Sequence, residues 1–436
     1  MSNRSLAVRG TPSQLRAGRL HVNSLLLLAT AGLTALSGFV FWIEAARFYP
    51  AGEVGVATSL ISALNVLSYV ALLGFNVSFV KLLPHSPTRD ADLTVGVLCV
   101  FAAGCVVGIG YLAVWRWFIG AGTADMGGLA TVGFAVAVGG CAVNLVTDAV
   151  FVGLRRAEYN FVLDGLVMSL VKVALPVALV GLGAIGVVYA SGLATLTAAL
   201  LSVLLVYTRF GFRPDLRGWP SVLARGYRFL GVNYVANLLN LVPVIVLPAA
   251  VLRFHGAERA AWFFIPFQIA TLVNAISYAV CQSMFAEAAK PTGGVRRLVL
   301  QALVLQLAAV SVVVALLWAV ARPVLGLFGE SYAGNAVLVL RLLLVSALPV
   351  ALTTWGIVVL RILDATRPLV LTNVVYVVVV LGVLTLTSRA SLTWAAIAWG
   401  AGNLAAAVVA LVVIVPRLPR PDPRAGTYAL HPEGKV

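Results

Sequence analysis

Lys172 lies inside a long apolar run, four residues before Pro176, at a depth that would put it near the middle of a bilayer. A cation there costs several kcal/mol unless something compensates it. Two kinds of chemistry account for such a residue. It either pairs with an acid inside the protein, for which Asp148 and Asp164 are the nearest candidates, or it receives an anion that crosses the membrane. The remaining charges near apolar runs sit at their ends. Glu44 and Arg47 close one end of the first run, Arg253 stands at the corresponding place in the seventh, and Lys81 and Arg228 stand at the opposite end. For Arg47, Arg253 and Arg341 the plain alternative is snorkelling to lipid headgroups.

Uncharged polar residues form a second pattern. On a helical wheel Thr30, Thr34, Ser37 and Glu44 share about 80° of arc, and Thr58, Ser62, Asn65, Tyr69 and Asn76 about 60°. Asn233, Asn237 and Asn240 line up in the seventh run; Gln268, Thr271, Tyr278 and Gln282 do so in the eighth, with Asn274 at the edge. Each stripe reads either as hydrogen bonding between helices, worth about 0.6 kcal/mol per residue, or as the wall of a hydrated cleft. Four stripes in the first two runs of each half favour the cleft.

Other chemistries lack their residues. No GxxxxGK[ST] or HExxH occurs, so the sequence offers neither an ATP-driven motor nor that zinc site. Cys99, Cys105, Cys141 and Cys281 lie singly in apolar stretches and read as small core side chains. His21, His85, His255 and His431 fall in loops or tails. The outer loops are too short to hold a catalytic domain with paired carboxylates. An enzyme is therefore not expected, nor a metal, a cofactor or a nucleic-acid partner.

The elements that must position these residues follow from composition. Of 436 residues 61% are hydrophobic and 10% charged, against about 25% charged in a globular domain, and the mean hydropathy is +1.02. A soluble fold and a disordered chain are both excluded. The expected class is an all-α polytopic membrane protein with spans at 22–46, 54–80, 93–118, 127–152, 161–182, 184–207, 229–252, 261–285, 298–320, 336–360, 368–388 and 392–415. The first run is too long for a signal-peptide core and is read as a retained span. The net charge of +15 then reads as topology, because Lys and Arg favour one side by roughly three to one. That places both termini in the cytoplasm. The expected organisation is a basic tail (1–21), a six-helix lobe (22–207), a cytoplasmic linker (208–227), a second six-helix lobe (228–415) and a C-terminal tail (416–436). Trp42, Trp115, Trp117, Trp262, Trp318 and Trp394 are expected as interfacial anchors.

The halves look like repeats. A shift of 206 residues puts Arg47-Phe48 on Arg253-Phe254, Ala51 on Ala257, Leu154-Arg155 on Leu360-Arg361 and Glu158 on Asp364. It also maps Ser62 to Gln268, Asn65 to Thr271 and Asn76 to Gln282. With six spans per half the repeats are parallel, as in transporters built of two lobes about an axis normal to the membrane.

The stretch WIEAARFYPAGEVGVATSLISALNVLSYVALLGFNVSFVKLLP, from Trp42 to Pro84, resembles the opening of polysaccharide flippases of the multidrug/oligosaccharidyl-lipid/polysaccharide exporter superfamily, with Glu53-Val54-Gly55, Leu73-Gly74 and Leu83-Pro84 at the family's places. Gly153 to Tyr159 looks like its loop after span 4, and Phe328 to Ala333 like its outer loop before span 10. The resemblance implies a MATE-like arrangement of twelve spans with a cleft lined by spans 1, 2, 7 and 8. It implies flipping of undecaprenyl-diphosphate-linked oligosaccharide units (of O-antigen or teichoic-acid type) across the bacterial cytoplasmic membrane. The implied partners are that polyprenyl-diphosphate-linked substrate, membrane lipids, glycosyltransferases and a polysaccharide polymerase. The alternative is an ion-coupled drug antiporter of the MATE type. Against a lipid II flippase stand twelve spans in place of fourteen and the lack of an arginine cluster in the stripes. Against drug export stands the absence of an acid deep in span 1.

Overall fold

The computed structural model describes residues 12–119, 127–227, 231–288, 294–387 and 391–418. Among these are twelve helices long and apolar enough to cross a membrane, and no strand. In lipid every backbone amide needs a partner within the chain, which is why these runs become helices. The spans are Leu25–Phe48, Ala51–Ala71, Arg89–Phe118, Gly128–Gly153, Ala157–Ala178, Val180–Arg209, Tyr234–His255, Ala257–Phe285, Val295–Ala319, Val337–Ile362, Thr366–Thr387 and Thr393–Arg417, numbered 1 to 12 below. The first helix starts at Pro12, well before its apolar part. The segment between spans 6 and 7 contains a helix of its own, Trp219–Tyr227.

The chain forms two compact units, Met1–Ile265 with Arg322–Val337, and Pro266–Ala321 with Leu338–Val436. The division falls at Pro266 within span 8, where the ring removes a helical hydrogen bond.

Span 2 is shorter than the sequence suggests. Leu73 (φ 47°) and Gly74 (φ 81°) both take left-handed backbone, which ends the helix at Ala71 and starts a second one, Phe75–Lys81. Left-handed backbone costs Gly little, and a non-Gly residue of order 1 kcal/mol or more. The break turns Phe75 and Phe79 into a buried cluster with Phe151, Val206, Phe212 and Val222.

Span 5 opens as a π-helix over Phe161–Met168, a geometry that often marks functional sites because one extra residue in the turn re-aims the side chains after it.

The repeat register needs correcting. The helix ends at Gly153 and Ile362 and the next starts at Ala157 and Thr366, a shift of 209 residues and not 206. The turns agree bond for bond: Arg156 N–H donates to Phe151 O (2.8 Å) and Ala365 N–H to Leu360 O (2.9 Å). Arg155 (φ 57°) and Asp364 (φ 51°) share the left-handed position. Ala51 and Ala257 start spans 2 and 8 at the original shift of 206. The matched letters at 154–155 and 360–361 therefore misled the alignment, and backbone conformation fixes it.

Candidate functional site

Spans 1, 4 and 5 bring the charged residues of the first half together. Asp164, on the π-turn of span 5, accepts a hydrogen bond from Asn144 Nδ2 of span 4 (3.0 Å). Asp148, one turn along span 4, lies beside Asp164 and is half-buried, and its Oδ1 has no hydrogen-bond partner among the described residues. Asn160 Nδ2 donates to Asp148 O at 3.4 Å, and Ser169 Oγ to Asp164 O at 3.1 Å.

Lys172 lies about two turns beyond Asp164 and is half-buried. No ion pair joins it to Asp148 or Asp164. Its Nζ sits 5.4 Å from the centre of the Phe41 ring of span 1, within the range of a cation–π contact. The ring offsets part of the cost of the charge but supplies no counter-ion. Of the two origins open for Lys172, the ion pair is not formed in this structure.

The polar stripes are not uniform. In span 1 Thr34 is half-buried and Ser37 is buried with its hydroxyl on Thr34 O (3.0 Å). Glu44 is half-buried, and its Oε2 has no hydrogen-bond partner. In span 2 Ser62 is buried, whereas Asn65 and Tyr69 are exposed. Asn76 lies beyond the break at Leu73 and so leaves the stripe; its Oδ1 is buried without a partner. In span 7 Asn237 is exposed and Asn240 half-buried, and both take part in interactions. The Asn233 side chain and Arg228 lie outside the described residues. In span 8 Gln268 and Thr271 are half-buried, Thr271 bonding to Gln268 O (2.8 Å), while Tyr278 and Gln282 are exposed. The stripes of spans 2, 7 and 8 thus each include exposed residues, whereas that of span 1 is half-buried or buried throughout.

Arg47 has a different task from the one its position suggests. Its Nε donates to Leu327 O (2.9 Å), and beside it Phe39 meets Phe328 edge-on at 5.4 Å. Trp262 Nε1 donates to Ser331 Oγ (3.0 Å). The loop before span 10 is therefore strapped to the ends of spans 1 and 8. Arg253 and Lys81 are exposed. Trp42 and Trp115 are buried, Trp42 against Phe264 at 4.8 Å, so these two are packing residues and not anchors. Arg341 lies over Trp318 at 5.4 Å.

Sequence reasoning missed Tyr234. Its hydroxyl donates to Val70 O (2.8 Å) and lies 3.3 Å from Tyr69 O, two carbonyls at the break in span 2. A tyrosine near the start of span 7 signals nothing alone; the left-handed pair it serves is visible only in the fold.

No family model matches the chain, and none of the curated proteins matches it. Solved structures do. An inward-facing multidrug resistance MATE family transporter of the MOP superfamily superposes with a TM-score of 0.70 at 16% identity, covering 88% of this chain and 94% of that one. The lipid II flippase MurJ in an inward closed conformation gives 0.74 at 10% identity, with coverage of 90% and 87%. An outward-facing MATE family transporter gives 0.62 at 16% identity, with 95% and 98%. The fold is MATE-like. At these identities the likeness concerns the MATE-like fold, and the cargo has to be read from this chain's own residues.

Proposed function

We propose that the protein flips undecaprenyl-diphosphate-linked oligosaccharide repeat units across the bacterial cytoplasmic membrane for cell-surface polysaccharide export, by alternating access of two lobes. The observation that carries this reading is Lys172: a lysine within span 5, six residues from its end, held over Phe41 with no carboxylate in ion-pair distance among the described residues. A diphosphate is the chemistry such a group serves. Lys81 at one end and Arg253 at the other are exposed and suit arrival and departure of the headgroup. Arg47, engaged with Leu327, contributes to the exit by holding the loop. The basic end of the spans is assigned to the cytoplasm from its charge. Glycosyltransferases and a polymerase would act before and after the flip.

The second reading, an ion-coupled small-molecule antiporter of the MATE type, draws on one observation, the nearness of Asp148 and Asp164 inside the first half. Two neighbouring carboxyls would serve ion coupling for either cargo, so the two readings separate on cargo and not on this pair.

The test is a charge series at Lys172 in a strain whose surface polysaccharide depends on this protein. Lys172→Arg keeps export and Lys172→Gln loses it at unchanged protein level. Normal export by Lys172→Gln contradicts the reading. Loss of drug resistance with normal polysaccharide would favour the antiporter.

A further inference from the structure

The segment between spans 6 and 7 is docked, amphipathic and basic. It leaves span 6 at Arg209. Phe212 is 5% exposed, inserted beside span 3 with Arg89 stacked over its ring at 5.4 Å. The Asp215 N–H donates to Thr94 Oγ1 of span 3 (3.2 Å), and Val222 of the helix Trp219–Tyr227 is buried in the same cluster. These contacts fix the segment's height at the end of the spans. Phe210 and Leu223 also pack on that cluster, whereas Leu216 (58% exposed) and Trp219 (56%) lie outside it. Arg209, Arg213 and Arg217 are exposed as well, while the one acid, Asp215, is half-buried and accepts the Arg217 N–H at 2.9 Å.

An exposed Trp and Leu cost free energy in water and fit the boundary between headgroups and acyl chains. Three arginines at the same height fit phosphates that carry a net negative charge. Beside the helix lies a cavity of about 240 Å³ lined by Phe75, Phe79, Leu83 and Val222 together with the polar Ser78, Lys81, His85, Ser86 and Asp92.

We infer that residues 209–223 form a binding surface for anionic glycerophospholipid, with Leu216 and Trp219 in the acyl boundary and Arg209, Arg213 and Arg217 on the phosphates. Residues 209–223 include none of the residues given a role in transport, and the inference holds whatever the cargo is.

The test is native mass spectrometry of the purified full-length protein, released from detergent with equimolar dioleoyl-phosphatidylglycerol and dioleoyl-phosphatidylcholine. The wild type is expected to retain phosphatidylglycerol over phosphatidylcholine by tenfold or more. Arg209→Gln/Arg213→Gln/Arg217→Gln should bring that ratio within twofold of one. Arg116→Gln/Arg259→Gln/Arg322→Gln, at the opposite end, should leave it unchanged. Leu216→Ser/Trp219→Ser should lower retention of both lipids alike. Unchanged melting temperatures in detergent show that the variants fold. The inference is overturned by a wild-type ratio near one, by a ratio that survives the first triple change, or by one that falls equally with the second.

Discussion

The two halves differ in charge at equivalent places. With the 209-residue register, Asn144, Asp148, Asp164 and Lys172 of the first half correspond to Thr353, Ile357, the pair Thr372–Asn373 and the pair Val380–Leu381 of the second. The second half holds several of its buried polar groups on backbone carbonyls. Gln306 Nε2 donates to Ala351 O (2.8 Å), Thr353 Oγ1 to Asn403 O (2.7 Å) and Asn373 Nδ2 to Leu369 O (2.8 Å). Such bonds act as glue between or within helices, at about 0.6 kcal/mol each. The first half keeps a lysine with no carboxylate in ion-pair distance among the described residues and two neighbouring carboxyls. Neither arrangement is what packing alone would select, because a neutral set of similar size does the packing in the other half. Under the proposed function, the chemistry of transport would belong to spans 1, 4 and 5, and their counterparts would serve as scaffold.

Four measurements break or sharpen that contrast. The largest effect is expected at Lys172. Lys172→Gln should lower polysaccharide export at least tenfold, whereas Leu381→Gln in the other half should leave at least half of it. Equal losses would erase the asymmetry. Next comes the carboxyl pair. Asp148→Asn removes one of the two neighbouring carboxyls and should flatten the dependence of transport on pH, while Ile357→Asn should leave the pH profile intact.

A smaller effect concerns packing. A Cβ at Gly55 would meet the carbonyl of Ala257, whereas one at Gly52 would only touch the Ala257 Cβ at 3.8 Å. Gly55→Ala should lower stability by about 1–3 kcal/mol, read as a drop in melting temperature, and Gly52→Ala should not. The smallest effect belongs to Tyr234→Phe, which removes a bond worth about 0.6 kcal/mol. It should raise the thiol-reagent reactivity of a cysteine at Asn65, a turn before the carbonyls that Tyr234 holds. Cysteines at Asn65, Asn237 and Gln282 should react, and those at Val377 and Leu411 should not. Equal protection of all five would mean that the stripes are packing contacts.

Much of this was legible from the sequence. Twelve apolar runs of spanning length are a composition signal, and apart from the end of span 2 their ends moved by only a few residues because charged and turn residues sit there. The stripes were legible because polar residues are rare enough in lipid for their spacing to stand out. What was lost depends on distant partners or on backbone conformation. Arg47 looks like a free headgroup ligand until Leu327, 280 residues away, takes its Nε hydrogen. Asn76 shares the face of Asn65 only if the helix is continuous through Leu73-Gly74. The π-turn around Asp164 has no letter code, yet it lies between that carboxyl and Lys172 in the chain. Trp42 and Trp115 sit near helix ends like anchors, but burial is decided by the neighbouring span.

The most direct measurement uses the purified protein in liposomes with a fluorescent undecaprenyl-diphosphate-linked saccharide, its movement to the outer leaflet read by the onset of lectin binding. The proposed function predicts time-dependent translocation by the wild type and by Lys172→Arg, with Lys172→Gln at the level of empty liposomes. A wild type that leaves the lipid-linked saccharide in place, while driving a cationic dye across the same bilayer, would contradict it.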